Sequence, residues 1–245
     1  MHFRTKGVVI REQTISENDK LVTLLTQKKG VIRAFARGAK NPKNYKSAGT
    51  QQFCYCDFDI YSGNNVFSVE EANVQDTFFN LRNDIQVLAL AQYFCELMYE
   101  LAPREETADE YLKLLLNANY LLMSGKKDRA IIKPIVEMRL LGMSGYMPSV
   151  VGCGNCGEFE SDTMYFNVSN GELYCDKCNS NKYNMPLSIS VVTAVRHVLY
   201  SESEKLFSFN LKGQSLTDFK DMSESYLQHV TMRKYKTLDF YKMVE

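Results

Sequence analysis

The chain has 245 residues, 45% of them hydrophobic, with no tryptophan but 15 tyrosines and 14 phenylalanines. That is enough apolar surface for two or three packed units. Lys+Arg and Asp+Glu number 29 each, so net charge excludes no partner and the distribution of charge has to be read instead. No apolar signal region opens Met1-His2-Phe3-Arg4, and no run approaches the roughly eighteen apolar residues of a membrane span. A cytoplasmic protein with no membrane partner is expected.

Residues 1–80 read as short strands. Gly7-Val8-Val9-Ile10 is a β-branched run after glycine. Asn18-Asp19-Lys20 predicts a turn, residues 21–26 a strand, Lys28-Lys29-Gly30 another turn, and residues 31–37 a third strand. Residues 38–49 are rich in Gly, Asn, Pro, Lys and Ser and predict an exposed loop. Residues 53–61 alternate, with Cys54, Cys56, Phe58 and Ile60 on one face and Phe53, Tyr55, Asp57, Asp59 and Tyr61 on the other. Ser62-Gly63-Asn64-Asn65 predicts a hairpin turn, with residues 66–69 as the return strand. Five short strands with a basic loop between them predict a small closed barrel of the OB type.

From about residue 76 the period changes to that of a helix. Leu81, Ile85, Leu88, Gln92 and Leu97 interleave with Leu90, Phe94 and Leu101 in a long helix closed by Pro103. Thr107 opens a second helix with Gly125 at its end. A third covers residues 128–141, with Gly142 at its end and Pro134 marking a late start or a kink. Residues 190–200 predict a fourth. Ser215-Leu216-Thr217-Asp218 has the pattern of a capping box for a last helix ending in Arg233-Lys234-Tyr235-Lys236. The fold class is thus α+β: an OB barrel over residues 1–80 and a helical domain over 81–245, interrupted by an insertion at 150–182.

That insertion holds Cys153-Gly-Asn-Cys156, then eighteen residues, then Cys175-Asp-Lys-Cys178. Two residues between paired thiolates let one tight turn present both sulfurs to the same ion, and this double pair has the spacing of a zinc site. Two disulfides or an iron site are the competing readings. Four thiolates fill a tetrahedral ion and leave no position for water, so the expected role of one Zn2+ held by Cys153, Cys156, Cys175 and Cys178 is structural. Cys54, Cys56 and Cys95 form an odd remainder, which fits a reducing compartment.

Charge is segregated in one window. Lys20, Lys28, Lys29, Arg33, Arg37, Lys40, Lys43 and Lys46 occur between residues 20 and 56 without a single Asp or Glu. Such a stretch attracts polyanions. On an OB barrel these cations would follow the phosphates of DNA, with Phe35, Tyr45, Phe53 and Tyr55 near enough to stack on bases. Against that stand a solvated charged face and rings used only for packing. His2, His197 and His229 are scattered, and His197 and His229, on predicted helices, read as packing or surface residues. Asp57, Asp59, Glu70 and Glu71 are poorly disposed to hold magnesium for a nuclease. No phosphate-binding loop, HExxH, GxGxxG or GxSxG occurs, so no enzyme is expected.

Three stretches carry a family resemblance. They are Thr5–Ile10 through Glu17-Asn18-Asp19-Lys20-Leu21 to Ala36-Arg37-Gly38-Ala39-Lys40, then Arg139-Leu140-Leu141-Gly142-Met143-Ser144-Gly145-Tyr146-Met147-Pro148 leading into the first cysteine pair, and Leu238-Asp239-Phe240. Over its whole length the chain resembles the RecO family of bacterial recombination mediators, although Asn41-Pro42-Lys43-Asn44-Tyr45 makes the basic loop longer than expected. The resemblance implies an OB fold, a helical domain and an embedded zinc finger. It also implies binding of single- and double-stranded DNA, strand annealing, work with RecR, contact with single-stranded DNA-binding protein, and loading of RecA. Some members lack the cysteines, which again implies a structural metal. A zinc-ribbon RNA-binding or transcription-associated protein is the alternative.

Overall fold

Period-two alternation in the first 76 residues is realised as a closed five-stranded barrel in the computed structural model, which describes residues 1–63 and 66–245. The strands are β1 (His2–Thr14), β2 (Lys20–Thr26), β3 (Gly30–Ala36), β4 (Tyr55–Gly63) and β5 (Val66–Asp76). Their order is β1-β2-β3-β5-β4, with β1 pairing antiparallel to both β2 and β4. A parallel contact of Ala34 with Phe67 and Phe35 with Ser68 closes the cylinder. A register shift between Val9 and Arg11 adds the local twist that closure needs. Val9, Leu24, Ile32, Phe58, Ile60 and Val69 fill the interior, each worth about 1.5–3 kcal/mol of burial.

The alternation of β4 holds for Cys56, Phe58 and Ile60, which point inward. Phe53 departs from it. Its backbone turns left-handed at φ +74°, and the ring is buried under the Arg82 guanidinium at 5.4 Å instead of facing outward with Tyr55. In the turn expected at Ser62-Gly63-Asn64-Asn65, Ser62 and Gly63 pair with Phe67 and Val66; Asn64 and Asn65 lie outside the described residues. The expected open loop at 38–49 ends in a short helical turn, α1 (Lys46–Gly49).

Two units partition the chain: residues 1–124 with 235–245, and residues 125–234. This grouping differs from a boundary at residue 80, because three helices belong with the barrel. The first is α2 (Ile85–Leu101), which starts later than its periodicity because the Asp84 carboxylate accepts from the Gln86 and Val87 amides. The second is α3 (Asp109–Ser124), followed by Gly125 at φ +61°. The third, α7 (Lys236–Val244), packs on α2, where Tyr93 and Tyr235 meet edge to face at 5.8 Å. Glu96 of α2 accepts from the Thr237 amide at 3.3 Å and from its hydroxyl.

The second unit contains α4 (Arg129–Met143), α5 (Ile189–Tyr200) and α6 (Gly213–Thr231), with a sheet ordered β6-β8-β7-β9. Those strands are β6 (Ser149–Cys153), β7 (Thr163–Asn167), β8 (Glu172–Cys175) and β9 (Met185–Ser188), so the sheet runs past residue 182. The Asp128 carboxylate accepts from the Ala130 amide at 2.9 Å and starts α4 well before Pro134, so the proline does not delay the helix; Gly142 lies within it. The expected capping box of α6 does not form. The helix begins two residues before Ser215, and Asp218 accepts from Gln214 instead. Met232 at φ +51° ends α6, so Arg233–Lys236 are not its last turn and Tyr235 is buried ahead of the separate helix α7.

Candidate nucleic-acid interface and metal centre

The strand geometry of β3 sorts its side chains. Ile32, Ala34 and Ala36 face the barrel core, leaving Arg33 and Phe35 exposed on the outer surface. Arg37, Lys40 and Lys43 follow in the loop, all exposed. That loop is built from local turns. Gly38 sits at φ +68° with its amide donating to the Asp19 carboxylate at 2.8 Å. The Lys40 amide donates to the Asn18 carbonyl at 3.0 Å, tying the loop to the β1–β2 connection. Lys20, paired in register with Ala36, lies at this same end. Its ammonium is already engaged by Glu12 at 3.0 Å.

The other cations separate from this group. Lys28 and Lys29 sit at the opposite end of β3, roughly 20 Å away at the usual rise per residue. There the Glu105 amide donates to the Lys29 carbonyl and the Ala108 amide to the Gln27 carbonyl, so an acidic segment lies beside them. Lys46 is buried, 8% exposed, and its ammonium donates to the Val69 carbonyl at 3.2 Å. It is unavailable to a phosphate because its charge is spent on the barrel's own backbone. Among the rings, Phe35 is 38% and Tyr45 70% exposed, Tyr55 is half-buried and Phe53 is enclosed. The parallel β3–β5 contact sets Ser68 beside Phe35, an adjacency with no signal in the sequence.

Two of the four carboxylates considered for magnesium, Asp57 and Asp59, are occupied. Asp59 takes His2 and Arg4, each at 3.4 Å, and Asp57 accepts from Gln75 at 3.1 Å. His197 and His229 each face a backbone carbonyl, of Lys205 at 2.9 Å and of Ser169 at 3.3 Å.

Sheet geometry in the other unit converges all four predicted cysteines. Their sulfurs lie within 4.8 Å of one another, and Cys156 and Cys175 are 3.7 Å apart. A tetrahedral ion with metal–sulfur bonds near 2.3 Å needs sulfur–sulfur edges of about 3.8 Å. No pair is joined as a disulfide. Each CxxC turn folds back on its first cysteine: the Gly157 amide donates to the Cys153 carbonyl at 2.9 Å, and the Cys178 amide to the Cys175 carbonyl at 3.0 Å. Gly157, at φ +76°, supplies the left-handed residue of the first turn. Burial works against ionising Cys153, but backbone groups of Cys156, Cys175 and Asn155 bring its thiol down to about 6. Asn155 favours a Cys178 thiolate, yet the Cys156 and Cys175 sulfurs push that thiol up to about 12. Four sulfurs this close cannot all carry charge without a cation among them, so the donor set fits a metal ion.

Two family models match the chain: residues 1–78 match the recombination protein O N-terminal domain, and residues 82–239 its C-terminal domain. The chain is 31% identical over 245 residues to the DNA repair protein RecO of Acetivibrio thermocellus, covering 100% of this chain and 98% of that one. It is 27% identical over 243 residues to the DNA repair protein RecO of Caldicellulosiruptor bescii, covering 99% of each. With these matches over an OB-type barrel, a helical domain and a four-cysteine cluster, the chain falls in a class of DNA repair proteins of barrel-and-helix design. The chain belongs to the RecO family.

Proposed function

We propose that the chain is a non-enzymatic recombination mediator that binds single- and double-stranded DNA through the outer face of β3 and the loop after it. Arg33, Arg37, Lys40 and Lys43 meet the phosphates, Lys20 contributes when Glu12 releases it, and Phe35 offers a ring to an unstacked base. Two strands drawn to one positive face lose part of their mutual repulsion, which favours annealing of complements. With RecR, this activity helps load RecA on strands coated by single-stranded DNA-binding protein. Zinc is the ion expected in the four-cysteine centre, where it would supply folding energy.

The observation that carries this reading is the exposed run from Arg33 to Lys43 on a closed barrel, with no acidic residue in it. Replacing Arg33, Arg37 and Lys40 together by alanine should weaken single-strand binding. It should also flatten the dependence of log affinity on log salt by about 2, at roughly 0.7 per lost contact. An unchanged slope removes this face from the interface. RNA outcompeting single-stranded DNA of the same sequence would favour an RNA-binding protein instead. Annealing without ATP is the companion assay.

A further inference from the structure

We propose that Arg196 is the positioning residue of the metal centre: its guanidinium pins both flanks of the first cysteine turn and thereby sets the affinity for the ion. The inference rests on the reading of the four cysteines as a metal site. Arg196 Nε donates to the Val150 carbonyl at 2.8 Å, and Nη2 donates to the carbonyls of Val151 at 2.9 Å and Phe159 at 2.7 Å. The guanidinium also lies over the Phe159 ring, 4.1 Å from its centroid. Val150 and Val151 lead into Cys153, and Phe159 follows Cys156 by three residues.

The two cysteine turns are anchored differently. Cys175 lies on β8, which is laddered to β7 through Cys175, Tyr174, Leu173 and Glu172. The first turn has a thinner ladder: the Gly154 amide donates to the Leu173 carbonyl of β8 at 2.7 Å, and the Cys153 amide to the Glu158 carbonyl at 2.8 Å. Between β6 and β8 only Ser149 with Glu172 and Cys153 with Leu173 are in register, and the ladder skips the residues between. Arg196 takes the carbonyls of two of the skipped residues. It stands on α5, whose other face is buried through Val191, Val192, Val195 and Val198, so it offers a fixed base. A planar guanidinium serves three carbonyls and a ring from one fixed fork, whereas the donors of an ammonium are not held in a plane. Without it, the flanks of the turn keep only these backbone bonds, and part of the ion's binding free energy goes into ordering them.

The test uses reduced, metal-free, full-length protein titrated with Co2+ and with Zn2+ against a chromophoric chelator. Wild type should develop sulfur-to-cobalt charge-transfer bands and tetrahedral d–d bands; their absence would defeat the metal reading itself, whatever Arg196 does. Arg196→Ala should reach the same spectrum at saturation with about 10- to 100-fold weaker affinity, and Arg196→Lys should fall between. Equal affinities in wild type and Arg196→Ala would overturn the proposal. So would a loss of melting temperature in the metal-free variant as large as in the loaded one, because Arg196 would then hold only the fold. Should the alanine variant fail to fold, the lysine variant decides: wild-type affinity there overturns the proposal, and reduced affinity supports it.

Discussion

Lys43 and Lys46 are three positions apart and have opposite fates. Lys43 stands in the loop, exposed, while α1 carries Lys46 inward, where its ammonium donates to the Val69 carbonyl and lies 5.7 Å from the Tyr45 ring centroid. Replacing Lys46 with alanine should cost about 2 kcal/mol in denaturant unfolding, the scale of a lost charged hydrogen bond plus an orphaned carbonyl. It should leave the salt dependence of DNA binding untouched. Lys43→Ala should do the reverse, and equal salt slopes for the two variants would refute the distinction. Burial pushes the Cys56 and Cys95 thiols up to about 12, and Cys54 is raised for the same reason. These three are therefore poor nucleophiles, and thiol reactivity of the native protein reports on the four-cysteine centre.

At the scale of elements, α4 and α6 are joined by a buried ionic group. Lys133, 2% exposed, lies 2.9 Å from Glu137 and 3.0 Å from Glu224 of α6, and Ser223 donates to Glu137 at 2.7 Å. Removing the cation leaves a buried carboxylate uncompensated, so Lys133→Met should destabilise the 125–234 unit by about 3–5 kcal/mol in urea unfolding. Burial alone would lower the Lys133 pKa, but Glu137 and Glu224 outweigh it and the pKa is raised. The stabilisation by this ammonium is therefore complete below the unfolded value of about 10.4 and is lost as pH climbs through the higher folded value. Wild type should lose stability over that alkaline range, and Lys133→Met should lose less. Parallel curves for the two would remove Lys133 as the cause. Elements of this kind were only partly legible. The face of β4 could be read because solvent selects every second residue, whereas Phe53 could not, since a left-handed turn inverted it. The cysteine quartet was plain because metal geometry fixes spacing. Arg196 gave no sign, because its partners are backbone carbonyls 37 to 46 positions upstream, and a carbonyl has no residue type.

For the whole molecule, the basic strip and the cysteine centre fall in different units. Cys175→Ser, or removal of the ion by a strong chelator under reducing conditions, should lower the melting temperature of the 125–234 unit. Single-strand affinity and its salt slope should stay within about twofold of wild type. A collapse of DNA binding on metal removal would show that the centre does more than hold its own unit. No helix among the described residues is long and apolar enough to cross a membrane.

The return of α7 to the barrel's unit has a consequence for how the molecule is made. A ribosome releases residues 1–124 long before Leu238 and Tyr241, both buried in that unit, have been synthesised. The nascent barrel must wait, with the face of α2 that receives α7 uncovered, while residues 125–234 are translated. A simple N-terminal fragment would therefore leave that face of α2 permanently uncovered. An isolated barrel unit would need residues 235–245 restored to it to cover that face.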